Sequence, residues 1–192
     1  SSESTKDLKE FTETLVKRSE EIKKGGVDPR KDNMLNITNE GKKAALDMRL
    51  INEMYDDIAT SKVNKAVDNI YKIYQESADF KGTQLVFCDM STPSKISGKY
   101  DVYNDMRNKL IEKGVRPEEI EFIHNADSDA KKANLFKNVR IGNVRILLGS
   151  TSKMGAGTNV QDKLVALHHI DVPWRPSDVE QRERKNIKTG KY

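Results

Sequence analysis

The sequence predicts an α/β fold: a parallel sheet with helices on both faces, preceded by a mainly helical N-terminal extension. Three observations carry that expectation. Four short apolar runs, at 84–88, 121–124, 144–148 and 164–167, read as strands. Amphipathic stretches of about a dozen residues separate them, the spacing that parallel strands need for a crossover. Capping and breaking residues fall between the two kinds of segment, at Ser61, Gly114 and Asp127 or Ser128.

In chain order, residues 5–24 place Leu8, Phe11, Leu15 and Ile22 on one stripe of a helix that Gly25-Gly26 ends. Val27-Asp28-Pro29 reads as a turn. Residues 34–38 alternate like a short strand, and 41–50 then look helical. With no nucleotide loop in it, the stretch 1–60 is expected to be a helical extension or linker. From Ser61 the pattern changes: Val63, Ala66, Val67, Ile70, Tyr71 and Tyr74 form a helix face, and QLVFC follows as the first strand of a second unit, 61–192. A helix through Val102, Met106 and Leu110 leads to the second strand, EFIH. A helix past Leu135 and Phe136 to Arg140 leads to the third, VRILL. Right-handed crossovers then gather the loops after each strand on one edge, at 89–94, 125–127, 150–159 and 171–175, where ligands of such folds bind.

Composition narrows the chemistry. Of 192 residues, 34 are Lys or Arg and 30 are Asp or Glu, a net charge of +4, which permits a nucleic-acid partner without demanding one. One cysteine, Cys88, excludes an intrachain disulfide and a cysteine-rich zinc site. Three histidines leave little for a metal centre; His168 and His169, adjacent on a strand, point to opposite faces. No apolar run approaches the ~18–20 residues needed to span a bilayer, and SSESTKDLKE is no signal peptide. A cytoplasmic protein is expected, with no membrane partner. The charged ending ERKNIKTGKY, with no closing turn, suggests a lobe truncated at its C-terminus.

The loop after the third strand, GSTSKMGAGTN, offers close backbone approach at Gly155 and Gly157 and donors at Ser150, Thr151, Ser152 and Lys153. It is a phosphate-binding loop or a tight turn with incidental hydroxyls. It is no Walker A loop, since GxxxxGK[ST] occurs nowhere, and no complete dinucleotide fingerprint. Between Ala130 and Val160 stand six basic residues (Lys131, Lys132, Lys137, Arg140, Arg145, Lys153) and no acid, whereas 112–129 hold six acids and two bases. That segregation is either a solvated helix face or a track for a phosphate backbone, read without base specificity. At 178–190 a helix followed by a basic tail is expected, with Gln181, Lys185 and Lys188 sharing a side; the row is a charged surface or a reach toward a γ-phosphate. Cys88 reads as core filler and His124, ending a strand, as a hydrogen-bonding group. Trp174, between Pro173 and Pro176, packs its loop or stacks on a base.

Taken together, QLVFCD, STSKMGAGTNV and DVPWRPSDVEQRERKNIKTG resemble helicase motifs IV, V and VI of the second RecA-like lobe of superfamily-two helicases and translocases, nearest the SWI/SNF-like branch. The chain is also similar to large helicase–methylase-like proteins of bacterial phages and conjugative elements, in which segments like VDPRKDNMLNITNEGKKAALDMRLI precede this lobe. The resemblance implies that Ser150, Thr151 and Lys153 touch a DNA backbone, and the basic run described above adds Lys131 and Lys132 as candidate DNA contacts. It implies that Gly155, Gly157 and Asn159 lie near the nucleotide. Motif VI would supply catalytic groups from Gln181, Arg182, Arg184, Lys185 and Lys188. The pattern Q-x-x-x-R-x-x-R-x-G carries lysine at both arginine positions here, Lys185 and Lys188. Lysine lacks the bidentate fork, so transition-state charge would be met less well unless Arg182 or Arg184 substitutes. ATP and Mg²⁺ are implied for the full-length protein, the Mg²⁺ held by the first lobe, with none expected in this fragment. The implied partners are DNA, that first lobe and a linked methylase domain. Two functions follow: the second lobe of a DNA motor, inactive alone, or a degenerate DNA-binding module without ATP turnover. A methyltransferase-like domain fits poorly, because CDMSTPS lacks the glycines of a cofactor loop.

Overall fold

The computed structural model describes residues 3–155, 159–171 and 188–191. The chain divides into two compact units, Ser1–Lys62 and Val63–Tyr192.

The first unit is helical. Helix α1 (Glu3–Lys24) lays Leu15 into the interior, with Leu8, Phe11 and Ile22 half-buried on the same stripe. Residues 34–38 are not a strand. They open helix α2 (Met34–Leu46), whose N-cap Asn33 accepts the Asn36 N–H. Five residues of alternation fit either period, and the cap decides. Helix α2 ends at Asp47, whose extended backbone (φ −163°) breaks the expected run to residue 50 into a separate 3₁₀ turn, Met48–Leu50. Arg18 of α1 makes a two-pronged contact with Asp32 of the connecting loop (2.8 Å each) and pairs with Glu40 of α2.

The second unit is a five-stranded, all-parallel sheet in the order β2-β3-β1-β4-β5: β1 (Thr83–Phe87), β2 (Ile120–Phe122), β3 (Ile146–Gly149), β4 (Leu164–His169) and β5 (Lys188–Lys191). Four strands are those expected from sequence. The fifth corrects the tail: Lys188 pairs with Ala166 in extended backbone, so it does not continue a helical row with Gln181 and Lys185, which lie outside the described residues. The chain runs out from β1 to β2, returns through β3, then crosses to β4 on the other flank. The strand order therefore reverses at β1.

Register separates the two faces. Leu85, Leu147 and Leu167 share one, over a core completed by Leu135 and Val139 of helix α5 (Asp129–Arg140). Gln84, Val86, Ile146, Leu148, Ala166 and His168 share the other, all essentially buried. Helix α3 (Lys62–Glu76) meets that second face: the Gln84 amide donates to the Ile70 carbonyl at 2.9 Å. Helix α4 (Val102–Lys113) buries Val102, Tyr103, Met106 and Leu110, and its Tyr103 ring stands edge-on to Phe122 of β2. Gly114 closes α4 at φ 126°, as its position predicts.

Arg145 is not part of a basic track. It is 4% exposed, donates to the carbonyls of Gly82 (2.9 Å) and Tyr74 (2.8 Å) and to Ser77 Oγ (3.1 Å), and sits 4.0 Å from the Tyr74 ring centroid. Its guanidinium locks the end of α3 to the start of β1, the edge opposite the loops that could bind a ligand. The run of positive charge in sequence therefore overstates the positive surface by one member.

Candidate functional site at the carboxyl edge of the sheet

The loops that follow β1, β3 and β4 meet at one edge, and two carboxylates join them. Asp171, two residues past β4 and 8% exposed, accepts the backbone N–H groups of Asp89 (2.7 Å) and Met90 (2.6 Å) in one oxygen, Oδ2. Asp89, two residues past β1, then turns its own carboxylate to the loop after β3. Oδ1 accepts the Thr151 N–H and Oδ2 the Thr151 hydroxyl, each at 2.7 Å. Three separate loops are thus stitched in series, β4 to β1 to β3. Burial and the neighbouring Asp171 carboxylate push the Cys88 thiol well above its ordinary range, so it stays protonated and unreactive. Cys88 is core filler, 1% exposed.

The loop after β3 folds into one helical turn, α6 (Thr151–Met154), with the N–H groups of Lys153 and Met154 donating to the Ser150 carbonyl. Gly149 makes that turn possible. A methyl on it would lie 2.5 Å from Ile123 Cγ2 and 2.6 Å from Met154 Sδ, closer than carbon contacts allow. Ser150 and Thr151 are each 8% exposed, Ser150 Oγ lies 3.3 Å from Ser152 Oγ, and the Thr151 hydroxyl serves Asp89. Ser152 and Lys153 are exposed, so the turn presents these two to solvent and holds Thr151 inside.

The chain after β2 is a 3₁₀ turn, Ile123–Asn125, so His124 lies beyond the strand rather than ending it. Its ring stands edge-on to Tyr103, centroids 5.3 Å apart, and Nδ1 has no hydrogen-bond partner, so the expected hydrogen-bonding role is not seen at that atom. Burial, then the nearby Lys153 charge, hold its pKa below the usual imidazole value. Tyr103 in turn donates its hydroxyl to the Cys88 carbonyl at 2.7 Å, bracing the end of β1.

Lys131 is exposed and pairs with Asp127 at 2.9 Å; Lys132 is half-buried in the first turn of α5. Lys131 and, further off, Lys95 of the loop after β1 depress the Asp127 pKa, which puts Lys95 in this basic neighbourhood. Lys95 stands outside the basic run at 130–160. Asn159 is exposed, its carbonyl accepting from Arg140 at 2.8 Å, and Gly155 closes α6. Gly157, Trp174, Gln181, Arg182, Arg184 and Lys185 lie outside the described residues. Asp89 and Asp171 fall in edge loops expected from the sequence, and Gly149 opens the expected loop, but the sequence assigns a site role to none of the three. Asp171 acts on residues 82 and 81 positions away, and no local pattern announces that.

Among the described residues, no cluster of His, Cys, Asp and Glu could hold a metal ion, and no helix is long and apolar enough to cross a membrane.

No family model matches the sequence, and no curated protein does. Solved structures do match. The C-terminal domain of a Sulfolobus solfataricus SWI2/SNF2 ATPase aligns with a TM-score of 0.62 at 16% identity, over 95% of this chain and 72% of that one. The crystal structure of the DUF1998 helicase MrfA bound to DNA aligns with a TM-score of 0.43 at 12% identity, over 61% of this chain. This chain spans 16% of that helicase's length. The parallel sheet and its helical covering match a RecA-like lobe, similar in fold to the C-terminal domain of a SWI2/SNF2 ATPase, and helices are present ahead of it in the chain.

Proposed function

We propose that this chain is the second RecA-like lobe of an ATP-dependent DNA helicase or translocase. The observation that supports the reading is the turn at 150–154 on the carboxyl edge of a sheet with this fold. It is held by Asp89 from below and offers Ser152 and Lys153 to solvent. Lys153, with Lys131 and Lys132 of α5 and Lys95 of the loop after β1, contacts the phosphate backbone of DNA without reading bases. Ser150 and Thr151 take part through the shape of the turn, since the Thr151 hydroxyl is engaged within the lobe.

In this reading ATP lies between this lobe and a first lobe that brings the phosphate loop and the Mg²⁺. Gly155, Gly157 and Asn159 line the nucleotide side, and Gln181, Arg182, Arg184, Lys185 and Lys188 face the phosphates. Residues 1–60 belong to the connection from the first lobe. The parent protein is a cytoplasmic helicase–methylase of a bacterial mobile element. The alternative is a DNA-holding module that no longer turns over ATP, favoured by lysine at both motif VI arginine positions.

DNA binding by this chain, followed by fluorescence anisotropy between 50 and 200 mM salt, tests the shared part of both readings. Binding should be independent of sequence and weaken with salt, and Lys153→Ala should lower the salt slope by about one. No salt-dependent binding to any DNA would contradict both.

A further inference from the structure

The series of bonds from Asp171 to Asp89 to Thr151 carries a consequence for how the turn after β3 is held. Through Oδ2, Asp171 accepts the backbone N–H groups of residues 89 and 90. Those N–H groups fix the backbone from which the Asp89 side chain projects. Asp89 is exposed, and its carboxylate reaches both Thr151 donors from the backbone position that those two N–H bonds fix. Thr151 offers it both an N–H and a hydroxyl, a geometry that accepts one orientation of the carboxylate.

We propose that Asp171 is a positioning residue for the turn at 150–154. It orients Asp89, and Asp89 holds Thr151, so the end of β4 and the proposed DNA-contacting turn after β3 adjust together. The link to DNA rests on the function proposed above; the mechanical coupling between Asp171 and Thr151 does not.

Two readouts on this chain separate the two. The first is amide hydrogen exchange. Asp171→Ala should speed exchange of the Thr151 N–H by tenfold or more, while strand amides in β3 keep their rates. Thr151→Val should reciprocally speed the Asp89 and Met90 amides, and Thr151→Ser, which keeps the hydroxyl, should not. The second is DNA affinity. Removing a negative charge beside a DNA surface ordinarily tightens binding. A positioning role predicts the opposite sign: Asp171→Ala should weaken binding several-fold, and the loss should vanish in a Thr151→Val background, since coupled sites are not additive. An unchanged Thr151 exchange rate in a folded Asp171→Ala variant would overturn the proposal. If that variant does not fold, the Thr151→Val and Thr151→Ser pair decides it, equal Asp89 exchange in both being the contrary result. Exchange as predicted, with no DNA binding by the unaltered chain, would sustain the coupling and remove the DNA reading instead.

Discussion

The Asp89 carboxylate receives two 2.7 Å hydrogen bonds from Thr151, one from its N–H and one from its hydroxyl, across 62 residues of sequence. Thr151 is the first residue of α6, so Asp89 does from a neighbouring strand end what an N-cap side chain does from within its own helix. The sequence provides no such cap locally: Ser150 occupies the cap position and makes no side-chain capping bond.

Asp89→Ala should therefore destabilise the lobe by roughly 1–2 kcal/mol, the scale of losing a cap and a charged hydrogen bond at a partly solvated site. Asp89→Asn keeps an acceptor for one of the two donors and should recover part of that loss. Urea denaturation of the three proteins checks the order: unaltered, then Asn, then Ala.

Arg145→Met should cost about 2–4 kcal/mol, because it leaves the carbonyls of Tyr74 and Gly82 without their donor and removes the stacked cation from the Tyr74 ring. DNA affinity of the folded variant should stay within about twofold. A loss of affinity comparable with that of Lys153→Ala, without a loss of stability, would restore Arg145 to the basic track.

Gly149→Ala introduces a methyl against the branched end of Ile123 and the Met154 side chain. Met154 can turn aside, but Ile123 is fully buried and cannot. A destabilisation of about 1–3 kcal/mol is expected, as for overpacked cores. A crystal structure of the variant should show α6 displaced.

His168 gives a pH signature. Gln84 donates its amide to the Ile70 carbonyl, so its Oε1 is left to accept, and His168 Nε2 at 2.7 Å must carry the proton of a neutral ring. Burial, then the charge of His169, push the His168 pKa down from 6.5 to about 4. The folded state thus resists protonation while the unfolded chain accepts it. Stability from this group is complete above about pH 6.5, falls as the pH drops toward 4, and levels off below that. The loss across that window is about 3 kcal/mol by linkage. His168→Gln can still donate to Gln84, and its unfolding free energy should fall less steeply between pH 7 and 4.5 than that of the unaltered chain.

Much of this was legible in the sequence because the signals were local. Compact apolar runs gave four of the five strands, and glycine at 114 and serine at 128 marked where helices stop and start. What could not be read was set by contacts across the chain. Residues 34–38 fit a strand until Asn33 is seen capping a helix. Arg145 looked like surface charge until three acceptors, at 74, 77 and 82, closed around it. Thr151 looked like a free hydroxyl because Asp89 approaches from another strand. Lys188 fitted a helical row by spacing, yet its backbone pairs beside β4, a choice made by the open sheet edge rather than by its neighbours. The proposed site is thus half sequence pattern, in the hydroxyl-rich turn, and half tertiary support, in the carboxylates at 89 and 171.

DNA-stimulated ATP hydrolysis by the protein that carries both lobes tests the central claim most directly, comparing the unaltered enzyme with the double variant Lys185→Ala, Lys188→Ala. The account predicts that DNA stimulates turnover in the unaltered enzyme, and that the variant loses the stimulated rate while binding DNA with unchanged affinity. Absence of ATP hydrolysis in the unaltered enzyme, with salt-sensitive DNA binding retained by this chain, would contradict the motor and leave a lobe that only holds DNA.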